Sequence, residues 1–282
     1  MSKANERAGL IIDAWAQPAR SRTFELMPEI ARLFKQSGSA ELLTTGLTTE
    51  QVVEAMDRAG VQTLMLSAWH RPGRWVIDND EVAEMVNQFP GRFAGVAAVN
   101  LEKPVEAVRE LGRAVGELGF KALRVVPWLW NRPPNDRFYF PLYVKCIELD
   151  IPFCTQVGHT GPLMPSETGR PVPYLDEVAL VFPELKIVAG HIGHPWTDEM
   201  IGVAWKHENV YIDTSAYLPR YYPPQLLHYI KTYGKSKVMF GTNFPQLSLE
   251  KCVEQAYALD LPDEARSAFL GGNARRVFKL DS

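Results

Sequence analysis

Four of the six histidines in the chain stand where a short apolar run gives way to glycine or proline: His70, His159, His191 and His194. His159 sits in Gln156-Val157-Gly158-His159-Thr160-Gly161, and His191 in Ala189-Gly190-His191-Ile192-Gly193-His194-Pro195-Trp196. A neutral imidazole in such a place can bind a metal or exchange a proton with a substrate near neutral pH. His194 precedes Pro195, a good first helical residue, so a structural place at a helix start competes with a chemical one. His70 is open between the two. His207 and His228 fall within helical spacing and read as surface or packing residues. Other groups end apolar runs in the same way: Asp13, Trp15 and Gln17 in the stretch IIDAWAQP, Trp69, Arg124, Trp128, Asp213 and Asn243. Six of the seven tryptophans (Trp15, Trp69, Trp75, Trp128, Trp130, Trp196) lie at run ends or in the loops that follow. Tryptophan suits a solvated loop only where it packs or binds, so these rings either cover the core or wall a site for a flat, partly apolar ligand.

The elements that must position these groups recur along the chain. Strands are expected at 10–15, 61–68, 92–100, 122–129, 151–158, 186–193, 210–217 and 237–244, where β-branched or apolar runs end in turns. Between them helical spacing appears at 49–60, 104–119, 140–150, 173–184, 198–208 and 223–234, several segments ending in glycine. Eight strands alternating with helices, without a linker or a break in composition, predict one (β/α)8 TIM barrel over residues 1–282. A doubly wound sheet competes, but the first strand-to-helix turn lacks G-x-G-x-x-G. In a barrel the chemistry sits at the C-terminal strand ends, where the groups above gather.

Bulk properties narrow the function. With 282 residues, 46% of them hydrophobic, the chain can bury a large core. A formal charge of -3 with no basic stripe argues against nucleic acid and for a small-molecule substrate. Cys146, Cys154 and Cys252 are odd in number and widely spaced, so they read as reduced core residues. The start, MSKANERAGL, has no apolar segment of signal type, and no run reaches the roughly 18 apolar residues of a membrane span. A soluble cytoplasmic protein is expected.

Taken in order, these residues resemble the amidohydrolase superfamily, in its amidohydrolase-2 branch of aminocarboxymuconate semialdehyde decarboxylase-like, resorcylate decarboxylase-like and pyrone dicarboxylate lactonase-like enzymes. The likeness runs through Ile12-Asp13, His159, Gly190-His191-Ile192-Gly193, Tyr211-Ile212-Asp213-Thr214-Ser215, Phe240-Gly241-Thr242-Asn243-Phe244-Pro245 and Gly272-Asn273-Ala274-Arg275-Arg276-Val277-Phe278. It implies a homodimer. It also implies D-x-H-x-H on the first strand, whose histidines bind a divalent ion, and an acid on the eighth. This sequence has Trp15, Gln17 and Asn243 at those positions. One imidazole and two neutral amides offer no charge to offset desolvation of an ion. The expectation is therefore no cofactor, with at most a weakly held divalent ion such as zinc on His159.

His191 is then expected to act as general base, with Asp213 or a backbone carbonyl orienting its second nitrogen. Asn243 and Gln17 are expected to donate to a developing oxyanion. Arg124, or Arg71 or Arg74 after the second strand, would grip a substrate carboxylate. Hydrolysis of a small cyclic or aromatic carboxylate follows as the main reading. Decarboxylation or hydration of a similar substrate, or a catalytically inactive ligand-binding homologue, are its alternatives.

Overall fold

The computed structural model describes residues 9–280, so the amino-terminal residues on which the signal-peptide reading rests lie largely outside it. Eight parallel strands form one sheet: β1 (Ile12–Ala16), β2 (Thr63–Ser67), β5 (Phe93–Ala97), β6 (Ala122–Arg124), β7 (Phe153–Gln156), β8 (Ile187–Gly190), β9 (Val210–Asp213) and β10 (Val238–Met239), neighbouring in that order. A bridge between Ala16 and Phe244 brings the last strand's exit back to the first. Bonds from Ala14 N to Phe240 O (2.9 Å) and from Asn243 N to Trp15 O (2.9 Å) complete the seam of a TIM barrel. Every residue of β1, β5, β7 and β8 is buried, as parallel strands covered on both faces require.

Helices follow the strands as the spacing predicts. Thr48 and Gln51 form a reciprocal capping box at the start of Thr49–Ala59, and Gly60 ends that helix at φ 74°. All three cysteines are free and buried. Among the described residues no helix is long and apolar enough to cross a membrane.

Three elements differ from expectation. The fourth barrel strand stops at Arg124 rather than running to 129, because Pro127 lacks an N–H for the ladder and opens a one-turn helix, Pro127–Trp130. Arg71 and Arg74 do not lie in an open loop. They pair across a ribbon of β3 (Trp69–Arg71) and β4 (Arg74–Ile77), with Gly73 supplying a positive φ in the turn. Between β1 and the Thr49–Ala59 helix, three short helices, α1 (Ser21–Leu26), α2 (Ala31–Ser37) and α3 (Leu42–Thr45), form a cap that the periodicity did not reveal. Helices of four to seven residues are too short to show a repeating apolar stripe.

Candidate active site

The C-terminal ends of the strands and the cap line a cleft of about 220 Å³. Trp15, Gln17, Trp69, Trp128, His159, His191 and Asn243, all singled out in the sequence, line it. The cap adds Phe24 and Phe34, whose rings meet edge to face at 4.6 Å, with Met27, Ile30 and Leu33. Thr23, Tyr217, Gln156 and Gln246 complete the polar part of the wall and were missed. Among the described residues, no Lys, Arg, Asp or Glu lines this cleft.

His191 follows β8 in a left-handed conformation, φ 73°, and Asn243 follows β10 at φ 66°. Such backbone is costly for residues other than glycine and is held only where its surroundings fix it. Ser215 Oγ lies 2.7 Å from His191 Nδ1. Asp213, expected to orient this histidine, instead accepts a 2.6 Å bond from Ser215 N and stays below the cleft wall, so its help reaches His191 through Ser215. The triplet Asp213-Thr214-Ser215 carried the signal, but a strand end shows the acid more readily than the residue two places on. Burial, then the charge of Arg124, pushes the His191 imidazolium down to about 3, so the ring is neutral. A neutral ring of such low basicity accepts a proton poorly, which weakens the general-base reading for the empty site.

His159 is exposed at the rim rather than buried at a strand end. Its backbone N–H donates to His194 O at 2.7 Å, and its Nδ1 lies 3.3 Å from both His194 O and Tyr217 Oη. His194 therefore serves through its carbonyl, while its own ring packs on His159 at 5.5 Å and lies outside the cleft wall. The helix after it begins at Thr197, so Pro195 is not its first residue.

The amides do not present the donors expected of them. Gln17 Nε2 donates to Phe244 O (2.7 Å), Asn243 Oδ1 (3.1 Å) and Asn243 O (3.3 Å), and Asn243 Nδ2 donates to Gln246 Oε1 (2.6 Å). The donor group of Gln17 is thus spent on the seam between β1 and β10, and one N–H of Asn243 on Gln246. What remains is an acceptor, Gln17 Oε1, buried and unpartnered. Trp128 Nε1 is likewise engaged, donating to Gln156 Oε1 at 2.6 Å.

The arginines are placed elsewhere. Arg124 is 4% exposed, its guanidinium 3.7 Å from the Trp15 ring centroid, and Nη1 donates to Ala16 O at 3.1 Å. Trp15 thus separates it from the cleft. Burial lowers its pKa to about 10, which leaves it charged at neutral pH. Arg71 Nη1 pairs with Glu29 at 3.1 Å and Arg74 is an exposed ribbon residue, so neither lines the cleft. His70 lies between Trp75 (4.5 Å) and Trp130 (5.7 Å), away from the cleft. Of the two histidines expected at the surface or in packing, His228 packs near Tyr233, while His207 is buried and holds Asp176 at 2.7 Å.

A barrel with imidazoles and amides gathered at its C-terminal mouth defines the class, and the sequence comparison supplies the family. The amidohydrolase family model matches residues 50–280, and the chain belongs to that family. It is 25% identical to a gamma-resorcylate decarboxylase of Polaromonas sp. over 81% of this chain and 86% of that one. It is 27% identical to a 2-keto-4-carboxy-3-hexenedioate hydratase of Sphingobium sp., over 72% of this chain and 71% of the relative. Among solved structures it resembles an uncharacterized TIM-barrel protein of Bordetella bronchiseptica, with a TM-score of 0.82, 25% identity, and 95% and 98% of the two chains covered.

Two expectations change with these findings. Relatives that are carboxy-lyases and a hydratase favour the alternative reaction classes over hydrolysis. The expectation of no cofactor is overturned by relatives solved with metal: the 5-carboxyvanillate decarboxylase of Novosphingobium aromaticivorans (TM-score 0.77, 18% identity, 98% and 97% covered) is complexed with manganese. Manganese is thus held by a solved protein of this fold. The side chains here do not form the site it would need. Among the described residues no group of three or more His, Cys, Asp or Glu is placed to hold an ion. The indole of Trp15 also fills the floor, so close to Gly190 that a Cβ there would lie 2.7 Å from the ring.

Proposed function

We propose that this chain is a carboxy-lyase that releases carbon dioxide from a small hydroxylated aromatic carboxylate. The observation that carries the reading is the cleft wall, with flat rings at Trp15, Trp69, Trp128, Phe24 and Phe34 and no charged side chain among its described residues. A carboxylate moved from water into such surroundings loses hydration and meets no fixed cation, only the imidazolium that its own charge induces. Its charge spreads into the ring as the bond breaks, and carbon dioxide leaves neutral, so the wall disfavours the reactant more than the transition state. Gln17 Oε1, an acceptor without a partner, suits a ring hydroxyl.

In the proposed reaction the bond between the ring and its carboxyl carbon breaks, and the electron pair stays on the ring carbon. That carbon then takes a proton. His191, at the end of β8 and held by Ser215, is the assigned carrier, charged by a proton taken up with the substrate's carboxylate. His159 and Tyr217, 3.3 Å apart at the rim, are assigned to passing that proton from solvent. Asn243 is assigned to fixing Gln17, Asp213 to fixing Ser215, and the three tryptophans to holding the ring plane.

The test is a panel of hydroxylated benzoates and related aryl carboxylates, incubated in D2O with and without added manganese. Carbon dioxide release with one deuterium placed on the ring carbon is expected. Addition of water to a substrate double bond would support hydration instead. No carbon dioxide and no ring deuterium from any member, under either metal condition, would sink the proposal.

A further inference from the structure

Behind Trp69, on the side away from the cleft, the ends of β2, β5 and β6 enclose a second and much smaller cavity. Trp69, His70, Arg124 and Trp130 line it together with small aliphatic residues. It leaves about 10 Å³ for the centre of a water-sized sphere, the room of one water or one monatomic ion. The polar atoms on its wall are short of partners. Arg124 Nε and Nη2 and Trp69 Nε1 are buried and make no hydrogen bond, and the same holds for His70 Nδ1. The first three can only donate.

The guanidinium itself makes one hydrogen bond, to the carbonyl of Ala16, and none to a carboxylate among the described residues. Stacking on Trp15 offsets part of the cost of burying this charge, but leaves its remaining N–H groups unanswered. A water molecule can accept only two of the donors and brings two protons of its own that need acceptors. An anion accepts from all of them and balances the charge. The room left suits a monatomic anion.

We propose that this cavity is a binding site for one small monovalent anion of halide size, held by Arg124 and Trp69. It lies behind the cleft and shares Trp69 with the cleft wall.

The test uses the full chain in two measurements. Crystals soaked in sodium bromide are examined by anomalous scattering, and melting curves are recorded in sodium bromide and sodium gluconate at equal ionic strength. A bromide peak beside the Arg124 guanidinium and a saturable, bromide-specific rise in Tm are expected. Trp69→Phe, which keeps a ring and removes the N–H, should weaken the bromide midpoint roughly tenfold, the size of one hydrogen bond to an ion. Arg124→Gln should abolish it, and Trp69→Phe carries the test alone if that variant does not fold. A peak in the crystal without any bromide effect in solution, an adventitious ion only, would overturn the proposal. So would water without anomalous signal, or an unchanged midpoint in Trp69→Phe.

Discussion

The indole of Trp15 lies between the guanidinium of Arg124, 3.7 Å from its ring centroid, and the Cα of Gly190, where no side chain stands in its way. The ring is 1% exposed and forms part of the cleft wall, so it is both core and site. It puts an aromatic plane over a buried cation at the place where the sequence resemblance implied a metal-binding histidine. The requirement for glycine at 190 follows from the size of that ring.

Gly190→Ala should therefore be destabilising by about 1–3 kcal/mol, the usual range for forcing atoms into a packed core. Its new Cβ would meet Trp15 Cζ3 at 2.7 Å. Trp15→Phe shortens the ring, so the double variant should lose less than the sum of the two single losses. Urea denaturation of the four proteins measures this. Strict additivity would show that the two residues do not press on one another.

Asp13 gives a prediction about pH. Its carboxyl accepts from Trp15 N (3.0 Å), Thr242 N (2.9 Å) and Thr242 Oγ1, yet burial pushes it up to about 7 from the ordinary 3.8. A raised pKa means that the folded chain keeps a proton which the unfolded chain has released. That contribution to stability is complete below pH 3.8 and is lost as the pH rises through 7. Asp13→Asn keeps the amide oxygen as acceptor, and Thr242 Oγ1 can accept from the new NH2. Between pH 4 and pH 8 the stability of the variant relative to the native chain should rise by something on the order of 4 kcal/mol, about three pH units of linkage. Denaturation midpoints across that range check it, and parallel curves would refute it.

The barrel was legible because parallel strands buried on both faces are short apolar runs, and those runs end where the functional side chains begin. Trp15, Gln17, Trp69, Trp128, His159, His191 and Asn243 reach one cleft for that reason. Direction was not legible. Arg124 sits at a strand end like the others, but nothing in the sequence says that Trp15 will lie across it. Gln17 donates to Asn243 and Phe244, and Asn243 to Gln246; the bond between Gln17 and Asn243 spans 226 positions and no local pattern records it. The cap went unread because its helices are shorter than the window in which a helical stripe can be seen.

Ser215 is a positioning residue, since it reaches the proposed chemistry through His191 at 2.7 Å. Ser215→Ala removes that hydroxyl and leaves the ring free to turn. Turnover in the proposed reaction should fall by up to ~10²-fold, the low end of acid–base contributions, with Tm nearly unchanged. A purely structural role would leave the ring nitrogen resonances of His191 as they are. A shift in those 15N resonances in the variant is expected, and Ser215→Thr, which restores an oxygen, should recover part of both readouts. Unmoved resonances with unchanged turnover would remove Ser215 from the site.

Proton uptake on binding is the remaining expectation, and it joins the low basicity of His191 to the uncharged wall. In the empty site the ring is neutral, with its pKa pushed down to about 3 by burial and by Arg124. A lowered pKa means that the folded chain binds this proton more weakly than the unfolded chain does, so the ring stays neutral until the pH falls well below 6.5. A carboxylate entering the cleft finds no Lys or Arg among the described wall residues. Its own charge then becomes the main force favouring an imidazolium, and the complex should hold a proton that neither partner held alone. Affinity should accordingly fall about tenfold per pH unit above the ligand's own pKa, until the raised pKa of the complex is passed. Calorimetric titration of a hydroxybenzoate in buffers of different ionisation enthalpy counts that proton directly, and His191→Gln should bind more weakly because the charge loses its partner. Enthalpies independent of the buffer, with a flat affinity from pH 5 to 8, would mean that the ligand's charge is met by a group outside this cleft wall, and His191 would lose its place as the proton carrier.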